Sequence, residues 1–343
     1  MPSRERSVLH VLPHAGGGGD TYVDVLSDMT GYTFERVYVA PKRKPGVGDL
    51  VAGVLDLRRV LRGYDLLHVH GEGAAGMFLP LLAWKRSVTT LHGLHLLRRA
   101  KGVRRRAAEL NLRAVVRAAD RTICVSAAER DILKAATGPA GARRTVVVHN
   151  GARIPPETGA PDRAQVREQL GLTQSEPVGI WVGSLDERRD PLAVVRAAEQ
   201  TSTTLLVVGD GPLRPEVERA AGAHVHMLGQ RNDVPHLLRA SDFFVLMSQR
   251  EGLSFALLEA MACGLPAIVA DIPENIEAVG NSGLAVPYGD EEATAAAFLR
   301  LARDEHERTT LGERAQRRVG DLFDADDMVA RTRAVYDEVL ASV

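Results

Sequence analysis

Ser248-Gln249-Arg250-Glu251-Gly252-Leu253-Ser254-Phe255-Ala256-Leu257-Leu258-Glu259-Ala260-Met261-Ala262-Cys263-Gly264-Leu265-Pro266 follows the apolar run Phe243–Met247. That run is short and apolar throughout, as a strand buried on both faces would be. Gly252 suits a tight turn with positive φ. Ser254 is placed to cap a helix beginning at Phe255. Strand, glycine turn and capped helix form the unit of an open parallel sheet, where the helix N-terminus is a phosphate site. Glu251 falls at the strand's C-terminal edge, facing a cleft, and Glu259 roughly two turns into the helix. Carboxylates accept paired hydrogen bonds, and vicinal diols offer two donors. Glu259 therefore suits ribose hydroxyls and Glu251 the hydroxyls of a sugar. The plainer alternative is a solvated loop acid and a helix-surface charge. The Leu, Ala, Met and Cys around Glu259 weigh against it, because an unpaired charge among them is costly.

Runs of the same kind recur outward in both directions. N-terminal of residue 150 they are Val8–Leu12, Arg36–Ala40, Leu66–His70, Val88–Leu91, Thr122–Val125 and Val146–His149. Beyond it they are Val178–Val182, Leu205–Val208, Val225–Leu228, Phe243–Met247, Ala267–Ala270 and Leu284–Val286. Helical patterns separate them, which predicts two parallel sheets with right-handed crossovers. A Pro- and Gly-rich stretch, residues 154–161, reads as the linker. Met328, Thr332, Val335, Tyr336, Val339, Leu340 and Val343 form a one-sided stripe on a final helix that must pack on something, in one arrangement back across the first domain. The expected domains are 1–155, 156–326 and a C-terminal helix 327–343.

A chain of 343 residues exceeds what one core usually organises. Residues 1–150 carry 24 Lys and Arg against 13 Asp and Glu, net +11; residues 151–343 carry 19 against 31, net −12. The basic half favours an anionic ligand or a membrane surface. Two distant cysteines, Cys124 and Cys263, read as buried reduced thiols, and so as a cytoplasmic protein. The opening MPSRERSVLHVLP turns polar too soon for a secretory leader, and the longest apolar stretch, Phe255–Ala270, is too short to span a membrane. Aromatic residues are only 4%, which disfavours nucleic-acid binding by stacking.

The segment 248–266 resembles the E-x7-E signature of the retaining family-4 glycosyltransferases, and the likeness extends over about 270 residues. Val207-Val208-Gly209-Asp210-Gly211-Pro212-Leu213 resembles the family's strand–turn in the donor domain, and Gly229 to Asp242 its base-binding loop and following helix. Ala119 to Ser126 and His149-Asn150-Gly151 resemble the end of its first domain. The resemblance implies the α/β GT-B fold: two Rossmann-like domains with parallel sheets facing an interdomain cleft. It implies a nucleotide-sugar-dependent transferase with no cofactor and no metal, using a UDP- or GDP-linked sugar. By the same resemblance Glu251 contacts the donor sugar, Glu259 the ribose, and backbone near Arg231 the base. Backbone N–H groups at Leu253 and Ser254, beside Gly252, would meet the diphosphate. In Gly183-Ser184-Leu185-Asp186-Glu187-Arg188-Arg189, Arg189 fills the family's lysine position, where a cation stabilises the leaving diphosphate. Ser184 stands where the family has arginine, so one cation is missing unless Arg188 or a first-domain residue supplies it.

Thr90-Leu91-His92-Gly93 resembles the family's T-x-H-G, whose histidine approaches the donor sugar; His68, His70 and His95 lie near it in sequence. Gly16-Gly17-Gly18-Gly19 resembles the loop that closes over the donor; by itself it is a flexible turn that lets backbone approach a phosphate or sugar, and it is not G-x-G-x-x-G. Asp324–Asp327 reads as a helix-start cap, and no histidine spacing suggests zinc. Arg98, Arg99, Lys101, Arg104, Arg105 and Arg106 form either a solvated helix face or a docking patch for a phosphorylated acceptor or anionic lipid headgroups, which would place the protein at the inner face of a membrane. The acceptor side is expected on the first domain. Two rival readings remain: a GT-B-type nucleotide-sugar epimerase, and a catalytically degenerate module that only binds the nucleotide sugar.

Overall fold

The computed structural model describes residues 4–39, 56–153 and 162–342. The expected linker 154–161 lies outside the described residues. The chain divides into two compact units. The first contains Met1–Asn150, Glu251–Leu253 and Ala325–Val343; the second contains Gly151–Arg250 and Ser254–Asp324.

The first unit holds a parallel sheet of β1 (Arg6–Leu12), β2 (Tyr32–Tyr38), β3 (Leu66–His70), β4 (Ser87–Thr90), β5 (Arg121–Cys124) and β6 (Thr145–Val147), in the order β2-β1-β3-β4-β5-β6. The chain turns back between β1 and β3, and that is where ligands bind in open sheets. The sequence reading starts the second strand at Arg36; the strand begins four residues earlier and ends at Tyr38. Among the described residues this edge strand pairs only with β1, which suits Glu35 and Arg36 within it. On one face of this sheet Leu9, Val11, Leu67 and Val69 pack with Phe78, Leu81 and Val115. The alternate positions, His10, His68 and His70, are fully buried as well. Strand side chains alternate between faces, so these histidines line the opposite face. There they meet the helices Gly18–Leu26 and Ala325–Ala341. The Tyr336 hydroxyl lies 2.6 Å from His68 Nδ1, and Tyr22 pairs with Thr332 at 3.3 Å. At the rim of the same face, Tyr32 donates to Asp337 at 2.8 Å. The final helix thus docks on the first sheet, burying Met328, Thr332, Val335, Tyr336 and Val339.

The second unit holds β7 (Val178–Val182), β8 (Thr204–Val208), β9 (Val225–Gly229), β10 (Phe243–Leu246), β11 (Ala267–Ala270) and β12 (Gly283–Val286), in the order β12-β11-β10-β7-β8-β9. This is the doubly wound order, with its switch point between β7 and β10. Trp181, Phe243, Val245, Ile268 and Phe298 form its core. Helix starts are set by side-chain caps: Asp190 to Ala193 N, Ser254 to Leu257 N, and Asp290 to Ala293 N. Asp242, just before β10, accepts from Arg163, from the buried Arg167 and from Val178 N at 2.6–2.7 Å, tying the unit's first helix to its central strands. Among the described residues no helix is long and apolar enough to cross a membrane.

Candidate functional site

In the second unit the loops that leave β7 and β10 meet at the switch point. Gln249 N donates to Arg188 O at 2.8 Å, and Arg188 Nη1 donates to Arg250 O at 3.3 Å. Gly183 follows β7 directly; a Cβ there would come within 2.5 Å of Arg189 Nη1, so the guanidinium lies across this glycine. Arg189 N is held by Asp186, while Arg189 Nε is buried with no hydrogen-bond partner among the described residues. Among the described residues no carboxylate forms an ion pair with Arg189. Arg188 sits 3.7 Å from the Asp186 carboxylate, which offsets part of its charge. Ser184 is exposed. The next loop is pressed against this one, because a Cβ on Gly209 would fall 1.8 Å from Gly183 O. Beyond β10, the helix Phe255–Ala262 starts at the Ser254 cap, and its first turn carries no acidic residue. Glu259 lies in this helix, and burial alone pushes its carboxyl up to about 7. That is the cost the sequence reading attached to a charge among Leu, Ala and Met, and a helix-surface glutamate would not show it. The Arg231 side chain is closed into a two-point ion pair with Asp233.

In the first unit, His92 and Leu94 stand at positive φ, 58° and 49°, on either side of Gly93. Two carboxylate contacts brace this strained turn. Glu129 is buried and accepts from Gly93 N and, at 2.7 Å, from Val125 N. Glu72 accepts from Leu96 N and, at 3.3 Å, from Leu97 N; burial raises its pKa. The loop tip 251–253 belongs to the same unit. Asn150 Nδ2 donates to Leu253 O at 2.6 Å, and Arg98 Nη1 to Glu251 O at 3.2 Å. Glu251 is only 5% exposed, so it is not a solvated loop acid. Gly252 is not among the glycines with positive φ, contrary to the sequence reading. Glycine is required there by close approach: a Cβ would stand 2.8 Å from Val125 Cγ2 and 2.9 Å from the His92 carbonyl carbon. The glycine-rich loop also differs in detail. Gly18 and Gly19 already lie in the helix that Gly17 precedes at φ 88°. Asp20, one turn in, accepts from Gly16 N with its own carboxylate.

Comparison with known proteins adds the lineage. Residues 9–154 match the Glycosyltransferase Family 4 profile, and residues 176–304 the Glycosyl transferases group 1 profile. The D-inositol 3-phosphate glycosyltransferase of Salinispora arenicola is 30% identical over 332 residues, covering 85% of this chain and 73% of that protein. The chain belongs to glycosyltransferase family 4. The N-acetyl-alpha-D-glucosaminyl L-malate synthase of Bacillus anthracis is 31% identical over 191 residues, covering 52% of this chain and half of that protein's length. Anabaena HepE, solved in complex with UDP-glucose, superposes with a TM-score of 0.80 at 20% identity, over 96% of this chain and 99% of that one. At that identity the likeness speaks for the GT-B fold alone.

Within this family-4 chain, the structure brings together residues the sequence reading did not connect. Ser126-x-x-Glu129 has the spacing of a capping box, and Ser126 does cap Glu129 N at 3.1 Å. The glutamate side chain, however, reaches across to the His92–Gly93 turn. His10 was not singled out by sequence. Nitrogens of His10, His68 and His70 lie within 4.8 Å of one another. Both nitrogens of His68 and both of His70 are already in hydrogen bonds of 2.6–2.9 Å, so the group fits mutual hydrogen bonding better than a metal ligand set. Burial holds His10, His68 and His70 well below the usual histidine range and His92 at about 3, so all four rings are neutral at physiological pH.

Proposed function

We propose that this family-4 enzyme moves a sugar from a UDP- or GDP-linked donor to an acceptor, with retention at the anomeric carbon and without a metal. The observation that carries the proposal is that the second unit holds both an Arg189 guanidinium whose Nε is buried and, among the described residues, without a hydrogen-bond partner, and a buried carboxyl of raised pKa at Glu259. The first suits a diphosphate and the second a ribose diol. The N–H groups of the helix that Ser254 caps add positive partial charge for the phosphates. HepE, a protein of the same fold, has been captured with UDP-glucose, which supports a nucleotide sugar. In the proposed reaction the departing diphosphate, stabilised by Arg189, takes the acceptor's proton on the face it leaves, while Glu251 and His92 hold the sugar.

The test is a thermal-shift screen of nucleoside-diphosphate sugars, followed by assays of nucleoside-diphosphate release and of the product's anomeric configuration. Stabilisation by one donor and release of its diphosphate in the presence of acceptor are expected, with unchanged rates after chelation. Isomerised donor without acceptor would instead identify an epimerase. Binding without release to any acceptor would identify a non-catalytic module.

The acceptor we propose is anionic and presented at a membrane surface. The relative that acts on inositol 3-phosphate supports an anionic acceptor. The helix Gly102–Ala118 begins with residues exposed from 102 to 107, and Arg104, Arg105 and Arg106 lie among them. Val103 is 82% and Leu110 62% exposed. Beside them, Leu96, Arg99, Ala100, Lys101, Arg104 and Ala108 line an open hollow of about 620 Å³. Bare apolar side chains do nothing for a dissolved phosphate but suit insertion between lipids, and each nearby cation adds about 1 kcal/mol at an anionic surface. The protein should float with phosphatidylglycerol vesicles at low salt and be released by about 0.5 M NaCl. Val103→Asp with Leu110→Asp should abolish flotation. No binding at low salt removes the membrane part of the proposal.

A further inference from the structure

His10, His70 and His92 come from β1, the end of β3 and the turn after β4, and they form a single file. His10 Nδ1 lies 2.8 Å from His70 Nε2, and His70 Nδ1 lies 2.9 Å from His92 Nε2. The ring centroids lie 5.1 and 5.2 Å apart and the ring planes are tilted by 27° and 21°, so neighbouring rings meet end to end. Tyr22 stands edge-on to His70 and His92, each at 5.4 Å. His68 flanks the file without joining it, since Tyr336 and Thr90 take its two nitrogens.

A neutral imidazole has one N–H and one lone pair, so each ring-to-ring bond uses one of each. Two bonds in series leave two arrangements. Either all three rings carry the proton on Nε2, or all three carry it on Nδ1. Any mixture sets two N–H groups or two lone pairs against each other in a dry interior, which is strongly disfavoured. The far end of the file is closed among the described residues, where buried His10 Nε2 has no hydrogen-bond partner. A proton taken up at His92 would have nowhere to leave.

We infer that this file is a tautomer clamp and not a proton relay: His70 and His10 are positioning residues that tie the tautomer of His92, and so whether it donates or accepts at Nδ1, to their own. Its relevance to sugar transfer rests on the proposed function, in which His92 meets the donor; the clamp itself does not. With Glu129 holding the Gly93 amide, both the ring and the backbone of this turn are set before any ligand arrives.

The test is long-range 1H–15N correlation on ¹⁵N-histidine-labelled protein without ligand. The expected result is one shared tautomer for His10, His70 and His92 in the wild type. In H10F, His70 and His92 should still agree with each other. In H70F, His92 should lose its single form and give averaged nitrogen shifts. Unlike tautomers among the three wild-type rings overturn the inference, whether or not either variant folds. So does an unchanged His92 in an H70F protein that melts like wild type. Donor turnover is measured separately, so a failed transferase assay leaves this result standing.

Discussion

Arg189→Ala is expected to lower sugar transfer about 10²–10³-fold while leaving the melting temperature near that of the wild type, the range seen when one transition-state charge contact is removed. The two halves of this expectation have one cause. The Arg189 guanidinium lies over Gly183, at the switch point of the second sheet, and its Nε is buried without a partner among the described residues. A half-buried cation with no carboxylate contributes little to folding, so its removal disturbs little. The same lack of a partner leaves its charge available to a diphosphate. Because the charge on the leaving group grows toward the transition state, kcat should fall more than donor KM rises. Arg189→Lys should recover part of the rate, since a point charge remains but the planar fork is lost. Steady-state kinetics on the donor found by the screen decide the matter. Unchanged kcat in Arg189→Ala, and in Glu251→Ala beside it, would refute the site.

Glu259→Gln should stabilise the protein and weaken nucleotide binding together. Burial raises the Glu259 carboxyl from 4.5 to about 7. A carboxyl with a raised folded pKa keeps its full contribution to stability below its unfolded value and loses it as the pH rises through about 7. Near pH 8.5 the ionised group costs about 3 kcal/mol relative to a neutral isostere. The variant should therefore melt several degrees higher than wild type at about pH 8.5 and at nearly the same temperature at about pH 4, below the unfolded value. Binding should run the other way. A ribose diol donates to the ionised form, so donor affinity in the wild type should rise from about pH 6 to pH 8 and flatten above. In the variant that slope should vanish and affinity fall about tenfold, the loss of one charge-assisted hydrogen bond. Calorimetric titrations across this range, beside melting curves, check both. A wild-type affinity independent of pH would remove Glu259 from the ribose site.

The alternation of apolar runs with helical patterns was legible without coordinates, as was the cap at Ser254. Both depend on short-range chemistry: the period of a strand, and a side-chain oxygen that reaches N–H groups three residues ahead. The placement of Arg189 after a strand and of Glu259 within an apolar helix could be read for the same reason. Gly252 was assigned the right importance for the wrong cause. A turn can be guessed from neighbours in sequence, whereas the constraint that demands glycine is the backbone at His92, 160 positions away.

By itself, then, the amino-acid order determined two parallel sheets, their family and the residue types at the edge of the second one. What three-dimensional packing alone decided was which distant groups touch. His10 and His70 are 60 residues apart, and they bond only because the order β2-β1-β3 lays their strands side by side in a register that sets His10 opposite His68, with His70 the next residue along on the same face. Glu129, in the first turn of its helix, likewise reaches the Gly93 amide across 36 residues. The burial of the histidine file, and with it the neutrality of its rings, is a property of everything packed around them, whereas the apolar neighbours of Glu259 in sequence already pointed to its raised carboxyl.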